Sequence, residues 1–449
     1  MIAAPPISTS PARDFSLKHA LASAFAGSVT NKTIGVFTGI ISARLLGPIG
    51  RGELASIVSL ELVIASFGEF ELPRGTAYGY SRGRATSDWL VSSVILALAI
   101  GGIEALVGML VASTYLPPDK SHLLHTTRWF LLTLPLTHTF FVLCGVDQGR
   151  GRFGRLSIYS TLPAFFYAFG IGIIWLWGRP TPNNFALATL GGTALALLSK
   201  LYSERSAFAS GRPSLDALRQ VISTALSFYL PAVASIALSR ADLFVIVRQA
   251  PSQAVGLYMV AQAIAVGQMA GVAPFVSVGF TAVARHIDRN DAVRALEKQL
   301  LFAQTGGFLL ALLSLALTPW CIRLAFGPRF IPAVHTTYLL ILASMLAGIN
   351  QVADQGLRVL HCSRAGLAAN SAALCIVLVG GATACRTYGM IGLAASVALG
   401  QLLAAAIFAI YGSRQQVRMR SAIILVPSNI VFVAGTLRRA WLKWRGRHR

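Results

Sequence analysis

The sequence predicts an all-α polytopic membrane protein with about twelve transmembrane helices, arranged as two pseudo-repeated six-helix lobes around a central cavity. Three observations carry this reading. Apolar stretches long enough to cross a bilayer follow one another along the whole chain, basic residues collect in every second connection between them, and short motifs recur about 205 residues apart.

In chain order the expected crossings lie near residues 21–44, 54–73, 89–113, 129–146, 156–178, 180–199, 221–239, 249–284, 299–322, 330–353, 365–384 and 387–413. Seven of these carry almost no charge, and five carry one to three polar or charged residues. Most reach the roughly 20 residues that span ~30 Å of hydrocarbon as a helix. Twelve crossings put both chain ends on one face. The first apolar segment is longer than a signal-peptide core, so it is expected to stay attached as helix one.

Lys and Arg set the expected orientation, because short basic loops are retained in the cytoplasm during insertion. On the twelve-helix map one face takes 27 of the 38 basic residues, the opposite face takes nine, and Lys32 and Arg240 fall inside spans. The 27-residue face is therefore expected to be cytoplasmic, with both termini on it, in a bacterial inner membrane. After residue 414, Ser428 reads as the cap of a basic amphipathic helix with Trp441 and Trp444 lying on that surface.

Composition excludes other classes. With 55% hydrophobic and 12% charged residues, the chain has too little polar surface for a water-soluble globule. A net charge of +22 is spread over short loops rather than one patch, which fits insertion and anionic lipid and argues against nucleic acid. Five cysteines, mostly in or beside spans, make no disulfide framework. The eight histidines, His122, His125, His286 and His335 among them, have no metal-site spacing, no cofactor is expected, and there is no Walker loop. A membrane-embedded glycan polymerase or ligase is the rival enzyme class, and the short loops on the sparse face disfavour it.

The internal repeat divides the chain. Asp147-Gln148-Gly149-Arg150 ends helix four and Asp354-Gln355-Gly356 ends helix ten, an offset of 207. Gly47-Pro48 to Leu54 is echoed by Ala250-Pro251 to Leu257, an offset of 203. The expected organisation is a segment 1–20, an N-lobe 21–204, a basic connection 205–219, a C-lobe 220–413 and a basic tail 414–449. Transporters commonly carry their substrate path between such repeats.

Ser42-Ala43-Arg44-Leu45-Leu46-Gly47-Pro48-Ile49-Gly50-Arg51-Gly52-Glu53 resembles a signature of the polysaccharide transporters in the multidrug/oligosaccharidyl-lipid/polysaccharide exporter superfamily. Ala254-Val255-Gly256-Leu257-Tyr258, Phe326-Gly327-Pro328-Arg329-Phe330 and Gly149-Arg150-Gly151-Arg152-Phe153 are similar to its other signatures and fall in the expected order. The resemblance implies a Wzx-type flippase that moves an undecaprenyl-pyrophosphate-linked oligosaccharide from the cytoplasmic to the outer leaflet by alternating access, for surface or exopolysaccharide assembly. Its partners would be that glycan, anionic lipid and a polysaccharide assembly machinery. A drug/cation antiporter shares the fold and is the alternative.

A carrier of pyrophosphate needs cations in a polar cavity, and charge within spans is rare and faces inward. Lys32 on helix one and Arg240 on helix seven are the substrate-binding candidates. The bland alternative pairs Lys32 with Glu61 and Arg240 with Asp242. Glu61, Glu104 and Asp242 are the candidate ion-coupling or charge-partner groups, since a carboxylate in low dielectric takes up a proton; a proton or sodium gradient would then drive transport. Glu69 and Glu71 read as ion pairs or cavity-mouth residues. Asp147 and Asp354 are expected to bond loop arginines and hold a gate at the basic face. His138 reads as a hydrogen-bonded core histidine. Pro135, Pro163, Pro231 and Pro274 are candidate hinges or static kinks. Glycine pairs such as Gly101-Gly102, Gly191-Gly192, Gly306-Gly307 and Gly380-Gly381 are expected to bring helices close.

Overall fold

A computed structural model describes residues 17–83, 85–229, 232–269 and 288–417. Arg13, Arg84, Pro231, Pro274, His286 and the surface helix expected after Ser428 lie outside the described residues. The helices are α1 (Leu17–Gly68), α2 (Leu72–Ser81), α3 (Ser87–Tyr115), α4 (Leu124–Phe130), α5 (Thr133–Gly149), α6 (Phe153–Trp177), α7 (Pro182–Ser203) and α8 (Arg205–Ser210). They continue with α9 (Leu215–Tyr229), α10 (Val233–Gln249), α11 (Ser252–Met269), α12 (Arg289–Cys321), α13 (Val334–Val359), α14 (Ser363–Cys375) and α15 (Gly381–Arg414). With no water in hydrocarbon to bond the backbone, helices satisfy it internally. Some starts carry a side-chain cap: the hydroxyls of Thr86 and Thr181 accept the amides of Trp89 and Asn184, and Pro182 sits in the first turn after Thr181.

Among the described residues seven helices are long and apolar enough to cross a bilayer, and two bent pairs add two more. Two of the seven are too long for one crossing and turn back within their length. At 1.5 Å per residue, the 40 residues of Val29–Gly68 and the 52 of Ser363–Arg414 would run about 60 and 78 Å against ~30 Å of hydrocarbon. Each contains a glycine in the left-handed region, Gly47 at φ 65° and Gly389 at φ 59°, where the chain turns back. The packing agrees. Gly27 touches Ser157 at the start of α6, Gly50 reaches Pro182 at the other end of the N-lobe, and Ala77 is back beside Gly149. Likewise Gly381 meets Leu393 and Ser396, and Gly400 meets Ala373. Counting each of these two as two crossings makes eleven among the described residues, and α11 lies where the sequence places the eighth span.

Loops assigned to one face touch one another. On the basic face Ser87 bonds Ser210 at 3.0 Å and the Arg212 amide donates to Asp88 at 2.7 Å. On the opposite face Thr126 bonds Asn183 at 2.9 Å. In three of the expected glycine pairs one member makes the close approach, Gly101 to Pro135, Gly192 to the α6 backbone and Gly381 to Leu393, while Gly306 meets nothing.

The cores show where the lobes join. Towards the basic face there are two separate apolar clusters, one around Leu72, Trp89, Phe140 and Leu197, the other around Leu296, Ala353, Ala373 and Phe408. Towards the opposite face one cluster runs through both lobes, from Ala43, Leu54 and Phe130 to Tyr258, Ile322 and Leu393. Among the described residues the lobes are thus fused on the sparse face and separate on the basic face. One element departs from the simple division at residue 220. α9 packs on α2 and α3, with Val221 and Ala225 in the N-lobe cluster, so the first half of helix seven leans on the N-lobe while α10 packs on the C-lobe helices α14 and α15.

Candidate functional site: a charged cluster between the lobes

Helix two breaks at Glu69-Phe70-Glu71. Phe70 and Glu71 have φ of 46° and 56°, a left-handed conformation unfavourable for residues with a side chain, and Phe70 stacks on Tyr229 at the end of α9 at 5.1 Å. This brings the breaks of helices two and seven together. Beside it, Gly68 abuts the Glu104 carboxylate of α3, which a side chain at that position would have to displace. Glu104 Oε2 lies 2.6 Å from Nε2 of His138, on α5, which is 1% exposed. Such a bond requires one proton between the two atoms. The other two polar atoms of the pair, Glu104 Oε1 and His138 Nδ1, are buried with no hydrogen-bond partner among the described residues.

Glu61, 5% exposed, faces His138, Arg240 and Glu104. Arg240 enters from α10 and donates from Nε to the Ser66 hydroxyl at 3.3 Å. Glu69 faces His138, Glu71, Arg74 and Glu104. Glu61 and Glu69 thus lie close enough to the Glu104 and His138 pair to feel its charge, and Arg240 close enough to Glu61, while the direct contact is the one between Glu104 and His138. With Glu71 and Arg74 paired to each other, three carboxylates stand against Arg240, a deficit of positive charge that a proton or a bound cation would offset.

Asp242 points elsewhere. Two positions along a helix are about 200° apart, so Asp242 makes no ion pair with Arg240, although Arg240 is near enough to act on its charge. The Asp242 carboxylate accepts the Tyr258 hydroxyl at 2.8 Å, the Gln262 amide at 2.9 Å and the backbone amide of Leu243 at 2.8 Å. These bonds engage both oxygens and tie helix seven to helix eight. Arg240 bonds Ser66 rather than Asp242.

Lys32 is exposed, has no ion pair among the described residues and is not among the groups facing Glu61. It stands 208 positions before Arg240, an offset matching the repeat. The helix face carrying Thr30 and Ile34 packs against α6 over an apolar cavity of about 540 Å³. Two positions from either residue, Lys32 projects from the other side.

Asp147 and Asp354 have unequal surroundings. Asp147 pairs with Lys200 and lies 3.6 Å from Arg155; Asp147 and Lys200 are both fully buried. Glu204 adds Arg150 at 2.9 Å, Arg155 at 2.9 Å and Lys200 at 3.4 Å, with the Tyr159 ring 4.5 Å from the Lys200 ammonium. This network binds the ends of helices four, five and six within the N-lobe. Asp354 pairs with Arg358 at 2.7 Å, one turn along its own helix. The matching stretch of helix twelve carries Ala404 and Ile407, with no counterpart of Lys200.

On the opposite face the two echo motifs meet. Gly52 lies against the Ser252 carbonyl and Gly256, and Gly256 against the Pro48 carbonyl, so a methyl group at either glycine would overlap the other lobe's backbone. Around this contact three cations cross between lobes. Arg44 donates to the carbonyls of Ala325 at 2.6 Å and Leu324; Arg248 donates to the Thr114 carbonyl at 3.1 Å. Lys120, fully buried, donates to Val247 at 2.6 Å and Ala250 at 2.7 Å. These are carbonyls at helix C-termini, the partners a cation satisfies best.

Of the residues singled out from sequence, Glu61, Glu104 and Arg240 lie near one another, Asp242 neighbours Arg240 but bonds Tyr258 and Gln262, and Lys32, Asp147 and Asp354 are not among their neighbours. His138 enters the cluster as partner of Glu104; its mid-span position beside a mid-span carboxylate in the neighbouring helix was the available signal. The Lys200 network and the Arg44, Arg248 and Lys120 bonds were missed. The 204-residue spacing of Arg44 and Arg248 is the trace that two of them leave. Among the described residues no three metal-ligating side chains converge.

No protein-family model matches the sequence, and no curated protein sequence does. Solved structures do. A lipid II flippase, MurJ, in an inward closed conformation superposes with a TM-score of 0.69 at 13% identity, covering 89% of this chain and 90% of that one. A multidrug resistance MATE family transporter of the MOP superfamily, inward-facing, gives 0.67 at 15% identity over 87% and 95%. A MOP superfamily transporter from Pyrococcus furiosus, titled for a binding pocket of reverse polarity, gives 0.60 at 16% identity over 91% and 97%. The chain is a multi-pass membrane protein with the fold of these transporters.

Proposed function

We propose that the chain is a flippase that moves lipid-linked oligosaccharide, carried on undecaprenyl pyrophosphate, from the inner to the outer leaflet of a bacterial cytoplasmic membrane by alternating access between its lobes. The observation that carries this reading is Lys32. A lone cation in an apolar helix costs about 2.5 to 3.5 kcal/mol on insertion scales, so one with no carboxylate partner among the described residues needs a function. A pyrophosphate passing through the cleft supplies the missing anion. Arg240, at the matching place of the second repeat, would act with it.

A lipid II flippase has this fold, and its printed substrate is also a lipid-linked glycan precursor. In our reading the basic face is cytoplasmic and attracts anionic lipid, and the lobes of this conformation are open on that side. Cysteine at Ser210 would then be shielded from an impermeant thiol reagent in intact cells, and one at Asp119 would react. The cluster of Glu61, Glu104 and His138, or Asp242, would bind the coupling proton or sodium ion, and the ends around Asp147 and Asp354 would hinge the basic side.

The acidic cluster favours a second reading, a drug/cation antiporter, because buried carboxylates facing one arginine also suit an organic cation. A deletion strain separates the two. The flippase reading expects surface polysaccharide to stop while lipid-linked repeat units accumulate, with Lys32→Arg restoring part of it and Lys32→Ala none at normal protein abundance. Normal glycan with new sensitivity to cationic dyes would replace it by the antiporter.

A further inference from the structure

We propose an anion-binding site on the opposite face of the molecule, in a cavity of about 580 Å³ between the lobes lined by Arg248, Arg386, Ser113, Ser121 and Gln249. It takes a phosphate or pyrophosphate group. The argument begins with charge. The opposite face holds only nine basic residues, as insertion requires, so their placement is informative. Arg248 and Arg386 line this one cavity, and Lys120 caps the carbonyl of Ala250, the residue after the lining Gln249. No Asp or Glu lines the cavity. Two guanidinium groups from helices seven and eleven, without a carboxylate between them, repel each other unless an anion joins them.

Polar groups complete the site. Ser113 and Ser121 offer hydroxyl donors. Gln249 lines the cavity with an amide that can donate from Nε2 to an anion, and its buried Oε1, an acceptor without a partner among the described residues, would take its hydrogen bond from a water held beside that anion. Arg386 has no ion pair or hydrogen bond among the described residues and is exposed, so it is free to engage.

Arg248 gives the site a consequence. The same guanidinium that faces the cavity holds the Thr114 carbonyl of the other lobe at 3.1 Å. An anion drawing Arg248 towards Arg386 competes with that bond, so binding and opening of this face are coupled, and each favours the other by linkage. The pyrophosphate headgroup of a lipid and a free phosphate anion share the chemistry.

The test titrates the full-length protein, in phosphatidylcholine nanodiscs, with inorganic pyrophosphate by calorimetry. Saturable binding is expected, weakened roughly tenfold or more by Arg386→Gln. Arg179→Gln, on the same face but outside the cavity, should leave binding unchanged. Melting temperature checks that each variant is folded. Farnesyl pyrophosphate in the same discs identifies the source: tighter binding than pyrophosphate assigns the site to a lipid headgroup, equal binding to a free anion, and both support the site. Absence of saturable binding, binding indifferent to Arg386→Gln, or equal weakening by Arg179→Gln overturns it.

Discussion

Arg44 and Arg248, 204 positions apart, make the same bond in opposite directions. Arg44, at the end of helix one, caps the carbonyls of Ala325 and Leu324 at the end of helix nine in the C-lobe; Arg248, at the end of helix seven, caps the Thr114 carbonyl at the end of helix three in the N-lobe. Helices one and three correspond to seven and nine in the repeat, so a pseudo-two-fold relates the two latches. Its axis passes by Gly52 and Gly256, also 204 positions apart, where the two backbones touch.

If these bonds close that face, removing them opens it. A hydrogen bond from a charged donor contributes about 1.5 to 3 kcal/mol, so Arg44→Gln with Arg248→Gln should shift the open population by at least tenfold. Spin labels at Trp177 and Tyr388, exposed on the two lobes, would report it in a cysteine-free background as a longer distance component. Gly52→Val should do the same by wedging the backbones apart. Unchanged distances in both variants would remove the latch role.

The buried network at the other end predicts a stability effect. Lys200→Ala leaves Asp147 buried beside a single distant arginine and should cost about 3 to 5 kcal/mol. Replacing both, Lys200→Met with Asp147→Leu, should recover most of it, because the charge left unpaired is then gone. Thermal unfolding in detergent measures both; a Lys200→Ala protein melting like the parent would show that the network carries no load.

The His138 and Glu104 pair is the group we expect to bind the coupling proton. His138→Gln and Glu104→Gln should keep normal abundance and lose the response of transport to an imposed pH gradient in proteoliposomes. A response kept in both variants and lost in Asp242→Asn would move coupling to the C-lobe.

Much of the fold was legible in the sequence because hydrophobic length and loop charge write topology directly. The Asp147 and Asp354 motifs and the Gly47-Pro48 and Ala250-Pro251 echoes carry the repeat in the sequence itself. The site was less legible. Glu61 has Lys32 one helix away in sequence, yet its neighbours are His138, Glu104 and Arg240, chosen by packing between helices that sequence distance does not encode. The latches were invisible for another reason: Arg44, Arg248 and Lys120 bond backbone carbonyls, and an acceptor common to every residue leaves no mark on composition. Lys200 looked like a loop cation at the end of helix six, and only the fold reveals that it is enclosed by Asp147, Glu204 and Tyr159.

The most direct test of the proposed function is transport itself. Purified protein in proteoliposomes is given a fluorescent undecaprenyl-pyrophosphate-linked oligosaccharide in both leaflets, and an impermeant quencher or glycosidase reads the accessible fraction. Our account predicts that the protein carries the protected pool to the accessible leaflet, and that Lys32→Ala does not. Failure of the native protein to move this lipid, together with exchange of an organic cation for protons in the same vesicles, would contradict it.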